Sequence, residues 1–174
     1  MNITKGRLKK NDACIEGVKW FLAQKEKNGV KVIKKLVTEK KLDWANWGIV
    51  RIMTYKQRIQ YAVFAAEQVI DIYEKKYPKD DRPRKAIEAA KVCIKSPTEK
   101  NKDTANAAAH SAYAAYAAHA AHAAYSAAHA AAYSDYSAAY SAAYAAYAAA
   151  YAAANAAMLN KILFYGLKIL RKSK

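Results

Sequence analysis

The residues of this sequence best suited to chemistry are cations set beside prolines and aromatics. Arg82-Pro83-Arg84-Lys85 opens a run of helix formers. At such a helix start, backbone N–H groups and guanidinium forks together grip phosphate or carboxylate. The same arginines can instead pair with Asp80, Asp81 or Glu88 and lock two helices, and this plainer reading ranks first. Upstream, Trp44 and Trp47 stand one helical turn apart, and Arg51, Tyr55, Lys56 and Arg58 follow closely. Cations interleaved with aromatics form the composition that stacks bases and neutralises phosphates. Here too the structural role leads: Trp44 and Trp47 read as core anchors, with Arg51 and Arg58 as candidates to line a ligand pocket.

His119, His122 and His129 follow one another at intervals that can place them on one helix face, as metal ligands would need. No cysteine lies near them, and Asp135 is the one acid of the segment. Histidine replacing tyrosine in a packing register explains the spacing without a metal, so neither metal nor cofactor is expected. Paired carboxylates in an apolar setting, a nucleophile beside a local base, a glycine-rich phosphate loop and zinc-protease spacing are all missing from the sequence. The expected activity is therefore binding, not catalysis. Cys14 and Cys93 occupy no metal or redox spacing and are expected to be reduced core residues.

The formal charge of +16 comes from 30 Lys and Arg against 14 Asp and Glu. It exceeds what solubility requires and points to an anionic partner, either a nucleotide or nucleic acid, or an acidic protein. Residues 1–103 hold 25 of the cations and 13 of the acids, whereas 104–174 hold 5 and 1. The working charge thus belongs to the first half. The N-terminal twelve residues are basic without an apolar run, and no stretch of about 18 apolar residues occurs, so stable membrane insertion is not expected and a cytoplasmic location is. The amphipathic end, with Lys161, Lys168, Arg171 and Lys172, leaves transient surface attachment as a lesser reading.

These residues need positioning elements, and the pattern gives helices only. Few Gly and Pro and long Ala runs favour an all-α chain, a single compact domain of about six or seven helices. Asn11 or Asp12 caps a helix to about Lys27 with Cys14, Val18 and Leu22 as its apolar stripe, stopped by Asn28-Gly29. A short helix carries Ile33, Leu36 and Val37. Leu42-Asp43 starts the next, and a long one runs from about Lys56 to Tyr77, ended by Pro78. Arg84 to about Ile94 follows, before Ser96-Pro97.

Beyond residue 104 the chain is almost wholly Ala, Tyr, Ser and His, and its large residues from His129 to Ile169 recur about every 3.6 positions, the α-helical turn. They form one stripe, read as a packing face, with Ser hydroxyls as partners for the tyrosines. A helix through the whole region would be roughly 100 Å long at 1.5 Å per residue, so it must break between 125 and 137, capped by Ser126 or Ser134-Asp135, into a long Ala/Tyr-rich hairpin. Ala faces allow close helix approach with the Tyr rings filling the remaining grooves, and stacked helical pairs of this kind can extend across a subunit boundary, so a homo-oligomer is expected.

Asp12-Ala-Cys-Ile-Glu-Gly-Val-Lys-Trp-Phe, Asp81-Arg-Pro-Arg-Lys-Ala-Ile-Glu-Ala-Ala and the terminal Ala-Ala-Tyr repeats, in that order, resemble a family of immunity proteins found in toxin-immunity neighbourhoods and phage genomes. The resemblance covers most of the chain, and the second stretch is its most specific part. It implies an all-helical, non-enzymatic protein that neutralises a toxin, a host defence component or a signal, and it transfers no catalytic residue. Immunity proteins against nucleases are often acidic, in imitation of nucleic acid, so the positive charge here departs from that expectation and favours an acidic or phosphate-bearing partner. Two functions stand: sequestration of a nucleotide or nucleic acid in phage counter-defence, or direct blocking of a toxin or defence enzyme. Arg82, Arg84, Lys85, Arg51, Arg58, Trp44 and Trp47 are the candidate contacts.

Overall fold

A computed structural model describes residues 2–113, 119–133, 135–154 and 156–171. The class is all-α, with eleven helices among the described residues, more than the six or seven expected. The surplus has local causes. α1 (Lys5–Lys10) is a short helix capped by Thr4, whose hydroxyl accepts from the Arg7 amide. α2 (Ile15–Leu22) begins after Cys14, whose Sγ accepts from the Gly17 amide, instead of at Asn11 or Asp12. Asn11 closes α1 and Asp12 sits at a positive φ of 55°. The stripe expected on α2 is also rotated: Phe21 is its buried residue while Ile15 and Leu22 are exposed. Asn28 does not stop α2; its side chain caps α3 (Gly29–Thr38) by accepting from the Lys31 amide.

α4 (Leu42–Ile52) starts where expected, with Asp43 in its first turn. The long helix expected to Tyr77 is two, α5 (Tyr55–Glu67) and α6 (Ile70–Lys76), divided at Val69. α5 opens on a reciprocal capping box between Thr54 and Gln57. α7 (Arg82–Lys95) carries Pro83 in its first turn and ends at Ser96. The Ala-rich half then forms α8 (Glu99–Tyr113), α9 (His119–Ala132), α10 (Asp135–Ala152) and α11 (Ala156–Arg171).

The break between α9 and α10 falls inside the expected window. Ser126 is no cap, being buried in the middle of α9, and Ser134 lies outside the described residues. α9 and α10 form an antiparallel hairpin, since His119 stacks on Tyr151, His122 meets Tyr144 and His129 Nδ1 lies 2.8 Å from Ser141 Oγ.

The stripe of large residues divides over α9, α10 and α11, and on α10 Tyr140, Tyr144 and Tyr151 face outward while Tyr147 is half-buried. Ala138, Ala142, Ala145 and Ala149 are wholly buried there, while Tyr140 and Tyr151 are 60% and 69% exposed. Small side chains let helix backbones pack closely, so the alanine faces, not the tyrosines, make the contact. α9 is the hub: it packs on α5, α6, α7, α8 and α10 and buries alanines almost all round. Tyrosine hydroxyls that enter the core reach carbonyls and amides: Tyr55 donates to the Ala131 carbonyl, and Tyr61 Oη donates to Asn46 Oδ1 at 2.8 Å. Asn46 Nδ2 donates in turn to the Ala143 carbonyl at 3.0 Å, a fully buried relay joining α5, α4 and α10. One contiguous set of buried residues runs from Ile3 to Leu167 through both halves of the chain.

Candidate functional site

All three tryptophans of the chain line one cleft, although Trp20 lies on α2 and Trp44 and Trp47 on α4. Its volume is about 280 Å³, near the lower end of the ~300–1,000 Å³ typical of small-molecule sites. α1 and the α1–α2 turn form one wall, α3 supplies apolar floor residues, and Tyr147 reaches in from α10. Trp20 and Trp44 meet edge to face, with ring centroids 6.3 Å apart, and Trp20 Nε1 donates to Glu39 Oε2 at 2.8 Å. The Arg51 guanidinium lies over the Trp47 ring at 4.0 Å and donates from Nη1 to the Trp47 carbonyl at 2.8 Å. Arg7 Nη2 donates to the Arg51 carbonyl at 2.6 Å, which ties α1 to the end of α4. Tyr147 Oη donates to the Asp43 carbonyl at 3.2 Å; its phenol is pushed up to about 12, burial first and then the Asp43 charge.

The cleft is therefore mostly apolar and aromatic, with a few polar groups at its edge. Two guanidinium groups, Arg7 and Arg51, and two carboxylates, Asp12 and Asp43, share its lining. The lining thus offers both hydrogen-bond donors and acceptors beside the aromatic rings. The Lys5, Lys9 and Lys10 ammonium groups of α1 are exposed nearby in sequence, on a helix with no acid in its first turn. Cys14, expected in the core, is exposed on the cleft wall, whereas Cys93 is buried and its thiol pushed up by burial.

The remaining candidate contacts lie elsewhere. Arg82 makes a two-pronged pair with Asp80, Nε to Oδ1 at 2.8 Å and Nη2 to Oδ2 at 2.6 Å, and Tyr73 Oη donates to the same carboxylate. The guanidinium beside Asp80 holds its carboxyl well below the usual carboxylate range. Arg84 grips Glu74 in the same way, at 2.7 and 2.6 Å, and lies 3.5 Å from Asp71. Lys85 pairs with Asp81 at 2.9 Å. These forks staple α6 and its following turn to the start of α7, using Glu74 and Asp71 as well as the Asp80 anticipated. Arg58 Nε donates to the Val50 carbonyl at 2.9 Å, outside the cleft. Lys56 faces a separate groove with Gln60, Tyr165 and Lys168.

Of the seven expected contacts, the structure brings together Trp44, Trp47 and Arg51. Trp20, Arg7 and Tyr147 join them from three further helices and were not legible, since they share no local spacing with α4, and Asp43 comes from the first turn of α4 itself. The three histidines are spread along α9 among tyrosine rings, and no group of three or more His, Cys, Asp or Glu able to hold a metal occurs among the described residues. No helix among them is long and apolar enough to cross a membrane. Comparison of the chain with protein-family models, with curated proteins and with solved structures gives no match in any of the three.

Proposed function

We propose that this chain is a non-enzymatic neutralising protein that works by holding an anionic partner, and that the partner is a nucleotide whose base enters the tryptophan cleft. One observation carries the reading: every indole of the chain converges on a single small cleft whose lining includes Arg7 and the buried Arg51. Indole faces stack on any base, each stacked base contributing ~1–3 kcal/mol, and a guanidinium already lying on Trp47 extends that platform. The cleft has room for one base-sized group, which favours a nucleotide over a long strand. The surplus positive charge outside it draws the phosphates in from solution. The resemblance to immunity proteins supports a neutralising role, and phage counter-defence in a host cytoplasm is the setting that fits a sequestered signal.

Tryptophan emission tests this directly, because all three fluorophores line the cleft. Titration with a panel of mono-, di- and cyclic nucleotides at low salt should shift or quench emission with at least one of them, and the affinity should weaken as salt rises. Trp44→Ala should cost at least tenfold in Kd. Arg84→Ala, whose side chain is committed to Glu74, should leave Kd within about twofold. Absence of any emission change, or equal loss in both variants, would sink the reading. Blocking of an acidic toxin or defence enzyme by direct contact is the second reading, favoured by the exposed, acid-free cation ridge of α1. It requires a complex that co-purifies whether or not nucleotide is present.

A further inference from the structure

The surface built by α8, α9 and α10 carries a ribbon of rings that the cleft does not use. On α9, His119 and Tyr133 are exposed at the two ends of the stripe and His122, Tyr125 and His129 are half-buried between them, with Ala120, Ala121, Ala123, Ala124, Ala127, Ala128, Ala130 and Ala131 facing inward. Tyr140 and Tyr151 stand beside it on α10, and Tyr113 joins from α8, half exposed. The rings touch in sequence across the three helices: Tyr113 to Tyr125 at 5.3 Å, His122 to Tyr144 at 5.4 Å, His129 to Tyr133 at 4.4 Å and His119 to Tyr151 at 5.6 Å. A monomer has little reason to hold so many amphipathic rings on its surface, and tyrosine is enriched at the buried centres of protein interfaces.

Charge identifies what covers it. Residues 104–156 contain a single Asp, Glu, Lys or Arg, which is Asp135, so the whole positive surplus of the chain lies on the rest of the molecule. An acidic protein or a polyanion would seek that surplus and find no cation to pair with on this face. Two copies of the chain repel each other over most of their surfaces, but here both present neutral rings. The 18 residues of α10 span about 27 Å at 1.5 Å per residue, and three helices side by side at ~8–10 Å spacing give a face roughly as wide. That is the order of the ~800 Å² per partner found in a stable interface. We propose that the His/Tyr face of α8, α9 and α10 is a self-association surface, covered in solution by the same face of a second copy about a twofold axis.

Sedimentation equilibrium of the full chain, at roughly 5–200 μM and in both 0.1 and 0.5 M NaCl, tests the proposal. The expected mass is twice the 19.3 kDa of one chain, and the dimer should hold or tighten in the higher salt, because only repulsion is screened. Tyr140→Lys combined with Tyr151→Lys should raise the dimer Kd at least tenfold, with far-UV circular dichroism unchanged at these exposed positions. Tyr140→Lys alone should act in the same direction if the pair perturbs the fold. Phe164→Lys, on the exposed side of α11, should leave Kd unchanged. A monomer at every concentration, a dimer dissolved by salt as a polyanion-bridged one would be, or a Kd indifferent to both tyrosine variants overturns it.

Discussion

Gly166→Ala sets two local rules against each other. Gly166 lies inside α11, where replacing glycine by alanine favours the helix by about 1 kcal/mol. A Cβ built there would stand 2.7 Å from Ile49 Cδ1 and 2.7 and 2.9 Å from two ring carbons of Tyr61, each short of the ~3.5–4.0 Å at which carbon atoms rest. Ile49 and Tyr61 are wholly buried, and Tyr61 is tethered through Asn46 to the Ala143 carbonyl, so the ring has nowhere to go and α11 must move. Overpacking of this kind costs ~1–3 kcal/mol, and the upper part of that range applies where the clashing group is a fixed ring. The net effect is a loss of about 1–2 kcal/mol, or roughly 3–6 °C in Tm for a chain of this size. Gly48→Ala provides the contrast, because its Cβ meets only the flexible end of Ile33, at 2.8 Å. Its packing cost is small enough for the helix preference to offset it, so its Tm should stay within about 2 °C of the parent. Thermal melts followed at 222 nm at one fixed protein concentration measure both. A Gly166→Ala protein as stable as its parent would refute the seating of α11 on α4 and α5.

Two further outcomes follow from the core. Tyr61→Phe removes the donor to Asn46 in a fully buried relay and should cost about 1–3 kcal/mol in urea unfolding, with the m-value unchanged; no loss would mean that the relay does not form. Burial holds the His122 and His129 imidazoles below their ordinary value of 6.5, so the folded chain binds fewer protons than the unfolded one just below that pH. Stability is therefore fully present above about pH 6.5, declines as pH falls below it, and levels off once the folded imidazoles are protonated as well. The carboxylates of Asp80 and Glu74, which are held low by Arg82 and Arg84, act only in a more acidic window. Tm should fall between about pH 7 and 5.5 in the parent and stay flatter in a His122→Phe/His129→Gln variant; equal slopes would reject the burial of these rings.

How much could be read from residues alone depended on the range of the interaction that decides each feature. The helix starts at Leu42 and beside Pro83 and the ends before Pro78 and Pro97 rest on contacts within about four residues, and the local pattern contains them, as it contains the division of the Ala-rich half between α9 and α10. The cap of α2 and the split at Val69 were missed, although both are local, because Asn11 and Asp12 are stronger capping types than Cys14 and nothing at Gln68-Val69 signals a stop. The pairing of Arg82 with Asp80 lay within reach for the same reason of proximity, whereas Glu74 lay a helix away.

The sequence by itself determined that this chain is helical, that most of its positive charge resides in the first 103 residues, and that Trp44, Trp47 and Arg51 follow one another along a single helix, since composition and a 3.6-residue period are properties of the chain alone. Tertiary structure alone decided which side of each Ala/Tyr helix is inside. A period marks a stripe without saying whether the large or the small residues face a neighbour, and close packing against α9 selected the alanines. It also decided the site. Trp20, Arg7 and Tyr147 reach the cleft from other helices by contacts with Trp44, Arg51 and Asp43 across tens of residues, and no spacing within the chain encodes those distances.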